Sequence, residues 1–333
     1  MNWTSKLSKF TLSLILGAAI SLLLSISANL LPTPASAQFQ PTSVPDLPAA
    51  STAPSSLADL NFAVEIDAFV PPELPQSDSP VEGGRGIIGP DNRLPMTSSA
   101  YPWSAIGRIL SLTPLGDEQF AVSACTGTLI QIDMVLTNAH CVVDPATHEF
   151  KQSVYFQPNL VNGQLQNEED LAIATTVWAA TDFREDNIPP NADDWALLKL
   201  DKPLGDTYGT IEWRPLPLET LVEEYQEKLI LAGYSGDFPA DNPGETAGVH
   251  EGCSIFGDYE DSVIHDYDTT SGASGGPILA EVDSKMRILA VNSAEQTELL
   301  TQEGHSEPRR VGVVNYAVQI SRIVETLVAQ QGR

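Results

Sequence analysis

The chain has 333 residues, 42% of them hydrophobic and 18% charged, a globular mixture that excludes a wholly disordered polypeptide. That length suggests about two domains. Acidic residues outnumber basic ones 44 to 17, for a net charge of -27; such a surface repels a phosphate backbone, so no nucleic-acid partner is expected.

Residues 1–37 read as an export signal. Lys6 and Lys9 precede a mostly apolar stretch, and Ala35-Ser36-Ala37 has the small-x-small form of a cleavage site. The apolar stretch is also long enough to span a bilayer. The position of Ala35-Ser36-Ala37 favours cleavage before Gln38, which leaves no membrane segment and places the protein outside the cytoplasm, secreted or periplasmic. Export implies an oxidising compartment, and three cysteines permit one bridge and one spare thiol.

Residues 38–85 are rich in Pro, Ser and Ala and read as a linker or a removable propeptide. Within them, residues 61–70 alternate briefly, as a strand does. The glycine-rich tip around Glu82 and Arg85 favours the propeptide, because exposed tips are where proteases cut.

From Gly86 onward short apolar or alternating runs recur between turn residues. The pattern predicts strands over 105–112, 119–125, 127–131, 134–137, 153–156, 172–180, 195–200, 228–232, 277–280, 287–292 and 310–314. It predicts a helix over 316–330, where Val318, Ile323, Val324, Leu327 and Val328 fall close to one face. The fold class is all-β, a sandwich or barrel.

Three polar sites follow in chain order. Leu136-Thr137-Asn138-Ala139-His140-Cys141 ends a strand in a small-residue turn that displays His140. A bridge from Cys125 to Cys141 would pin the residue beside it. Asp193 and Asp194 precede the apolar run from Trp195. Ser274 stands between glycines in Gly272-Ala273-Ser274-Gly275-Gly276, a loop whose amides can converge on an oxyanion. Taken singly, each is commonplace: a loop histidine, a solvated strand start, a glycine-rich turn. Together they supply a nucleophile, its base and the carboxylate that orients the base, and the order His140, Asp194, Ser274 is that of the chymotrypsin triad. The same serine block satisfies the nucleophile elbow of α/β-hydrolases, which would need Asp283 and His305 as partners. That fold requires alternating helices and a parallel sheet, and the pattern here lacks both.

These blocks resemble the trypsin and chymotrypsin superfamily, most closely its bacterial secreted branch that includes the glutamyl endopeptidases. LTNAHC, DDWALLKL and TSGASGGPI carry the resemblance, and residues 87–109 are similar to the mature amino-terminal segment of that branch. The resemblance implies two six-stranded antiparallel β-barrels with a C-terminal helix, spanning 86–205 and 206–333. It implies a serine endopeptidase acting on polypeptides without a cofactor, with Asp194 rather than Asp193 as the triad acid and the amides of Gly272 and Ser274 as the oxyanion hole. Animal trypsins carry an aspartate directly before the nucleophile to pair with the new amino terminus, whereas this chain has Ala273. Cys125 and Cys141 are expected to be bridged, and Cys253 free, because Tyr267 stands where the branch often has its partner cysteine.

For the specificity pocket the resemblance points two ways. Asp268 occupies the place of the trypsin aspartate that binds Lys or Arg. Thr269 matches the threonine with which glutamyl endopeptidases hold a substrate carboxylate, and Asn292 stands near the histidine they use with it. The reading favours Glu or Asp before the scissile bond. His250, Cys253 and His265 match no standard zinc spacing, and no calcium-loop signature is present, so no metal is expected. A protease-like binding module with no activity is the alternative of another class; such proteins usually lose a triad member, and none is missing here. Oligomeric state is not legible.

Overall fold

The computed structural model describes residues 61–65, 86–116, 119–184, 190–300 and 309–331. The expected signal segment, most of the linker, the cleavage tip at Glu82 and Arg85, and His305 lie outside them. The strands are β1 Asn61–Glu65, β2 Leu94–Pro95, β3 Ile106–Gly116, β4 Gln119–Gln131, β5 Met134–Thr137, β6 Val143–Asp144, β7 Glu149–Phe150, β8 Ser153–Pro158, β9 Ala172–Ala179 and β10 Ala196–Leu200. Two short helices follow, α1 Gly205–Tyr208 and α2 Leu218–Glu224. The chain continues through β11 Leu229–Gly233, β12 Gly248–Cys253, β13 Ile255–Tyr259, β14 Ser262–His265, β15 Pro277–Val282, β16 Lys285–Leu300 and β17 Arg309–Gln319, and ends in α3 Ile320–Gln331.

The first sheet has the order β1-β4-β3-β8-β9-β10-β5, and β4 also pairs with β5. That extra pairing closes six strands into a barrel and removes their free edges. β1 remains outside the closed set, parallel to β4. It is the strand expected from the alternation in the linker. The second sheet runs β13-β14-β17-β16-β15-β11-β12-β2. Only Ser254 separates β12 from β13, so the two halves of one bent strand enter the second barrel near its two ends, β13 last at one end and β12 beside β2 at the other. The antiparallel pairings of both barrels exclude the parallel α/β-hydrolase sheet.

Each barrel is filled by inward-facing apolar side chains. Leu229, Leu231, Ile255, Val263, Ile278 and Leu289 meet inside the second, and Leu218 and Val222 of α2 pack on that cluster. Burying one such leucine contributes about 2 kcal/mol. Tight hairpins set the register. Asp283 and Ser284, at φ +52° and +60°, join β15 to β16, and Glu260 and Asp261, at +49° and +62°, join β13 to β14. Left-handed pairs of this kind match the twist of the strands they connect.

Several expected boundaries differ, β3, β16 and β17 running longer than expected, and β12, β13 and β14 answer to no predicted run; two differences are instructive. The runs at 119–125 and 127–131 are one strand, β4, because Thr126 continues the ladder against Arg108 of β3. The predicted helix begins later, at Ile320; Tyr316 to Gln319 instead pair with β16. Apolar residues at Val318 and Ile320 suit either period, and the ladder decides between them.

Cys125 and Cys141 form a disulfide with Cα atoms 6.0 Å apart, and Cys253 is a buried free thiol. Burial pushes the Cys253 pKa well up, with Asp266 and Asp268 adding to it, so it is a poor nucleophile. Closing a 16-residue separation contributes about 3 kcal/mol in the loop-entropy account. Replacing both Cys125 and Cys141 by Ala should therefore lower the unfolding free energy by about that amount, read from urea midpoints. Mass mapping of the non-reduced protein should give one cross-linked peptide pair that excludes Cys253.

Candidate active site

β5 and β10 are antiparallel neighbours, with Thr137 opposite Ala196. The segment leaving β5 and the segment entering β10 therefore emerge at the same end of the first barrel. His140 follows β5 in a tight turn, whose Ala139 carbonyl accepts the amides of Val142 and Val143. Asp194 precedes β10 in a turn closed by its own amide to the Asn191 carbonyl at 3.1 Å. Pairing of the two strands thus brings together residues 54 positions apart.

The contact is short and almost completely enclosed. His140 Nδ1 lies 2.7 Å from Asp194 Oδ2, with side chains 3% and 5% exposed. The His140 amide donates to Asp194 Oδ1 at 3.0 Å, and the Ser293 hydroxyl donates to Oδ2 at 2.6 Å. Asn138 Nδ2 donates to the Asp194 carbonyl at 2.7 Å. Burial alone would raise the Asp194 pKa. The charge of His140 and the hydrogen bonds from its ring, from Ser293 and from the His140 amide overcome that and hold it below the usual carboxylate range. An ionised carboxylate so placed fixes the imidazole with its proton on Nδ1. Asp193 points elsewhere: Arg322 of α3 holds it through Nε and Nη2, each at 3.0 Å.

Ser274 lies just before β15 in the second barrel. Its hydroxyl donates to the Ser293 carbonyl at 3.3 Å, so Ser293 touches both Ser274 and Asp194. The loop around it depends on two glycines in left-handed conformation, Gly272 at φ +96° and Gly275 at φ +83°. A Cβ at Gly272 would overlap the Tyr234 carbonyl oxygen, and one at Gly275 would overlap that of Thr126. The amides of Ala273, Gly275 and Gly276 are tied to the carbonyls of Thr270, Asn292 and Ala273, which fixes the direction of every peptide in the turn. Thr126 of β4 joins this loop to the first barrel: its amide donates to the Ser274 carbonyl at 2.7 Å and its hydroxyl to the Gly272 carbonyl at 2.9 Å.

The three residues considered for a specificity pocket are all buried, but they face different partners. Asn292 Nδ2 donates to Thr269 Oγ1 and to the Ala273 carbonyl, each at 3.1 Å. The Asp268 carboxylate instead accepts the Ile88 amide at 3.0 Å and the Asn92 amide at 2.7 Å, and its side chain is 0% exposed. It anchors the segment from Gly86 to Asn92, whose first carbonyl also accepts from Thr269 N and Asn315 Nδ2. Arg93 extends the attachment by pairing with both Asp91 and Asp237, and Thr270 donates to Asp237.

Sequence reasoning did not assign Ser293, Asn138 or Thr126. Ser293 directly follows Asn292 on β16, and its position beside a pocket candidate is the only signal that could have found it. Of the α/β-hydrolase alternative, Asp283 occupies a hairpin tip, 3.7 Å from Arg214, and His305 lies outside the described residues. Of the histidines considered for a metal, the Nδ1 of His250 accepts the Asp268 amide and that of His265 the Tyr267 amide.

Residues 111–314 match the family model described as Trypsin. The glutamyl endopeptidase of Bacillus licheniformis is 25% identical to the chain over 202 residues, which cover 60% of this chain and 57% of that protein. The chain thus matches little more than half the length of that curated relative. A solved structure of a Glu endopeptidase in complex with MPD is similar over 74% of this chain and 100% of its own, with a TM-score of 0.54 and 22% identity. At that identity the likeness establishes the fold.

The lowered Asp194 pKa has a definite sign in stability. The folded value lies below the unfolded one, so the carboxylate stabilises the fold above the ordinary Asp range, and the contribution is lost as pH falls through the folded value. An Asp194→Asn variant should be about 3 kcal/mol less stable at neutral pH, because it breaks a buried pair. Urea titrations at a series of pH values should show that gap closing on acidification.

Proposed function

The chain belongs to the trypsin family, and on that premise we propose that it is a serine endopeptidase that cleaves polypeptides through an acyl-enzyme on Ser274. The observation that carries the reading is the enclosed His140–Asp194 pair at 2.7 Å, with Ser293 bridging from Asp194 to the Ser274 loop. In this reading His140 removes the hydroxyl proton as Ser274 Oγ attacks the scissile carbonyl, and Asp194 stabilises the imidazolium that forms. The amides of Gly272 and Ser274 receive the oxyanion; one such donor is worth about 3 kcal/mol in the transition state. The imidazolium then gives its proton to the leaving amine as the C–N bond breaks. Water, deprotonated by the same imidazole, releases the acid product and restores Ser274.

The preferred residue before the scissile bond is Glu or Asp. Engagement of Asp268 by two backbone amides supports this, because it leaves that carboxylate committed to the Gly86–Asn92 segment rather than to a substrate cation. Thr269, with Asn292 donating to it, is a hydroxyl able to donate to a substrate carboxylate. The active form begins near Gly86, after removal of the export signal and the Pro/Ser-rich segment. The burial of Gly86 and the two bonds to its carbonyl fit that start. An exported enzyme, secreted or periplasmic, also fits the disulfide.

Purified mature protein should react with a fluorophosphonate probe, and Ser274→Ala should abolish both the labelling and the turnover. Wild-type-like turnover in Ser274→Ala sinks the assignment. A peptide library read by mass spectrometry should show cleavage after Glu favoured over Lys by about tenfold or more. Asp268→Asn should weaken the hold on the Gly86–Asn92 segment, read as faster proteolytic trimming of the amino terminus, without changing that order of preference.

A further inference from the structure

β4 is used along both of its edges, and one stretch of it is served by a strand that belongs to neither barrel. β3 pairs with one edge over the whole length, from Ile106 opposite Thr128 to Gly116 opposite Gln119. On the other edge β5 reaches only from Thr128 to Gln131, so the barrel closure stops short of the first part of β4. Thr126 turns its amide away from β3, to the Ser274 carbonyl. The pairing with β3 has no register shift between Thr126 and Phe120. Strand alternation therefore turns the amides of Val122 and Phe120 to the same outer edge as that of Thr126. Among the described residues one strand pairs there. It is β1, parallel to β4, with Asn61 opposite Gln119, Phe62 opposite Phe120, Val64 opposite Ala121 and Glu65 opposite Val122. The strand face beside this edge is apolar, since Phe120, Val122 and Ala124 pack on Leu110, Leu112 and Tyr155. β1, the nucleophile loop and β5 thus follow one another along a single edge of β4.

We propose that the outer edge of β4 at Gln119–Val122 is a strand-docking site whose occupant is the Asn61–Glu65 segment: the uncleaved chain covers it, and the maturation cut near Gly86 opens it to an extended peptide of the same pattern. The proposal rests on the maturation argued above. β1 has five residues and lies in the Pro/Ser-rich segment, with residues 66–85 between it and Gly86. A ladder that short is marginal in water when its strand is free. Joined to the barrels through a flexible segment, the same strand acts at an effective concentration of about millimolar. Cutting the segment removes that advantage and leaves unpaired amides and carbonyls, the feature by which a sheet edge takes up an extended polypeptide. Main-chain bonds hold such a ligand, and the apolar face beside the edge favours apolar residues at alternate positions, as in Phe62 and Val64.

Amide hydrogen exchange on the full chain tests the proposal, with Ser274→Ala to prevent self-digestion and a site-specific protease sequence inserted between Glu65 and Gly86. Before the cut, the Phe120 and Val122 amides should be protected. Cutting and removing the released segment should abolish that protection, while the Val135 and Leu198 amides inside the first barrel stay protected and report that it remains folded. A synthetic peptide of residues 58–68, added at about millimolar concentration, should restore it, and a scrambled peptide should not. Val64→Pro combined with Glu65→Pro should expose Phe120 and Val122 in the uncut chain, because neighbouring N–H groups point to opposite edges and the pair removes whichever one faces β4. Free exchange of Phe120 and Val122 before the cut overturns the proposal. So does protection that survives loss of the segment, or a peptide that restores nothing or does no better than its scrambled form. Amino-terminal sequencing of the active secreted protein reports on maturation separately. A start at Gln38 overturns the opening of the edge, and the maturation reading with it, even where the uncut chain protects both amides.

Discussion

The Asp194 carboxylate receives the His140 ring, the His140 amide and the Ser293 hydroxyl, and these donors come from both barrels. Removing a charge from water is costly unless every face of it is satisfied. The arrangement around Asp194 meets that demand with hydrogen bonds that also fix the chemistry. One places the imidazole tautomer, one fixes the backbone that carries it, and one reaches across to the strand beside the nucleophile. The fixed orientation of the His140 ring is therefore a by-product of solvating one buried anion.

A second carboxylate organises the other half of the site. In animal trypsins the residue before the nucleophile holds a new amino terminus, and here that residue is Ala273. Asp268, six positions before Ser274, instead takes hold of the Gly86–Asn92 segment through ordinary amides. The pairing of β2 with β12 and the ion pairs of Arg93 continue the attachment. Because Thr269 and Thr270 are held in the same network, the segment from Gly86 to Arg93 braces the wall of the loop that leads to Ser274. The bracing needs peptide N–H groups, which exist whether or not a charged terminus has been released.

The sequence made some of this legible and concealed the rest. His140, Asp194 and Ser274 stand out because each sits in a short run whose neighbours serve it directly: small residues in the His140 turn, apolar residues of β10 behind Asp194, glycines around Ser274. The all-β class followed from the short alternating runs and the two barrels from the resemblance, and the Cys125–Cys141 bridge from the number and context of the cysteines. Ser293, Asn138 and Thr126 are single small polar residues, and their importance comes only from strands remote in sequence that arrive beside them. Thr126 also hid the continuity of β4, because a polar residue inside a strand reads as a break until its partners on both barrels are seen. Asp268 occupied the place of a pocket base by position alone. Its partners, Ile88 and Asn92, lie about 180 residues away, beyond any local pattern.

Thr126 has one further implication. It belongs to the first barrel, yet its amide and hydroxyl both end on carbonyls of the nucleophile loop in the second, and the Tyr234 amide of β11's exit returns to the same hydroxyl. Many enzymes built from two lobes close around their substrates by a hinge between the lobes. Opening a hinge here would strand several buried donors and acceptors at once, each costly to leave unpaired. The two barrels are thus pinned to each other beside the nucleophile. For the proposed enzyme, discrimination between substrates then falls to the side chains around the site, and evolutionary tuning would replace those residues while the frame that holds them stays fixed.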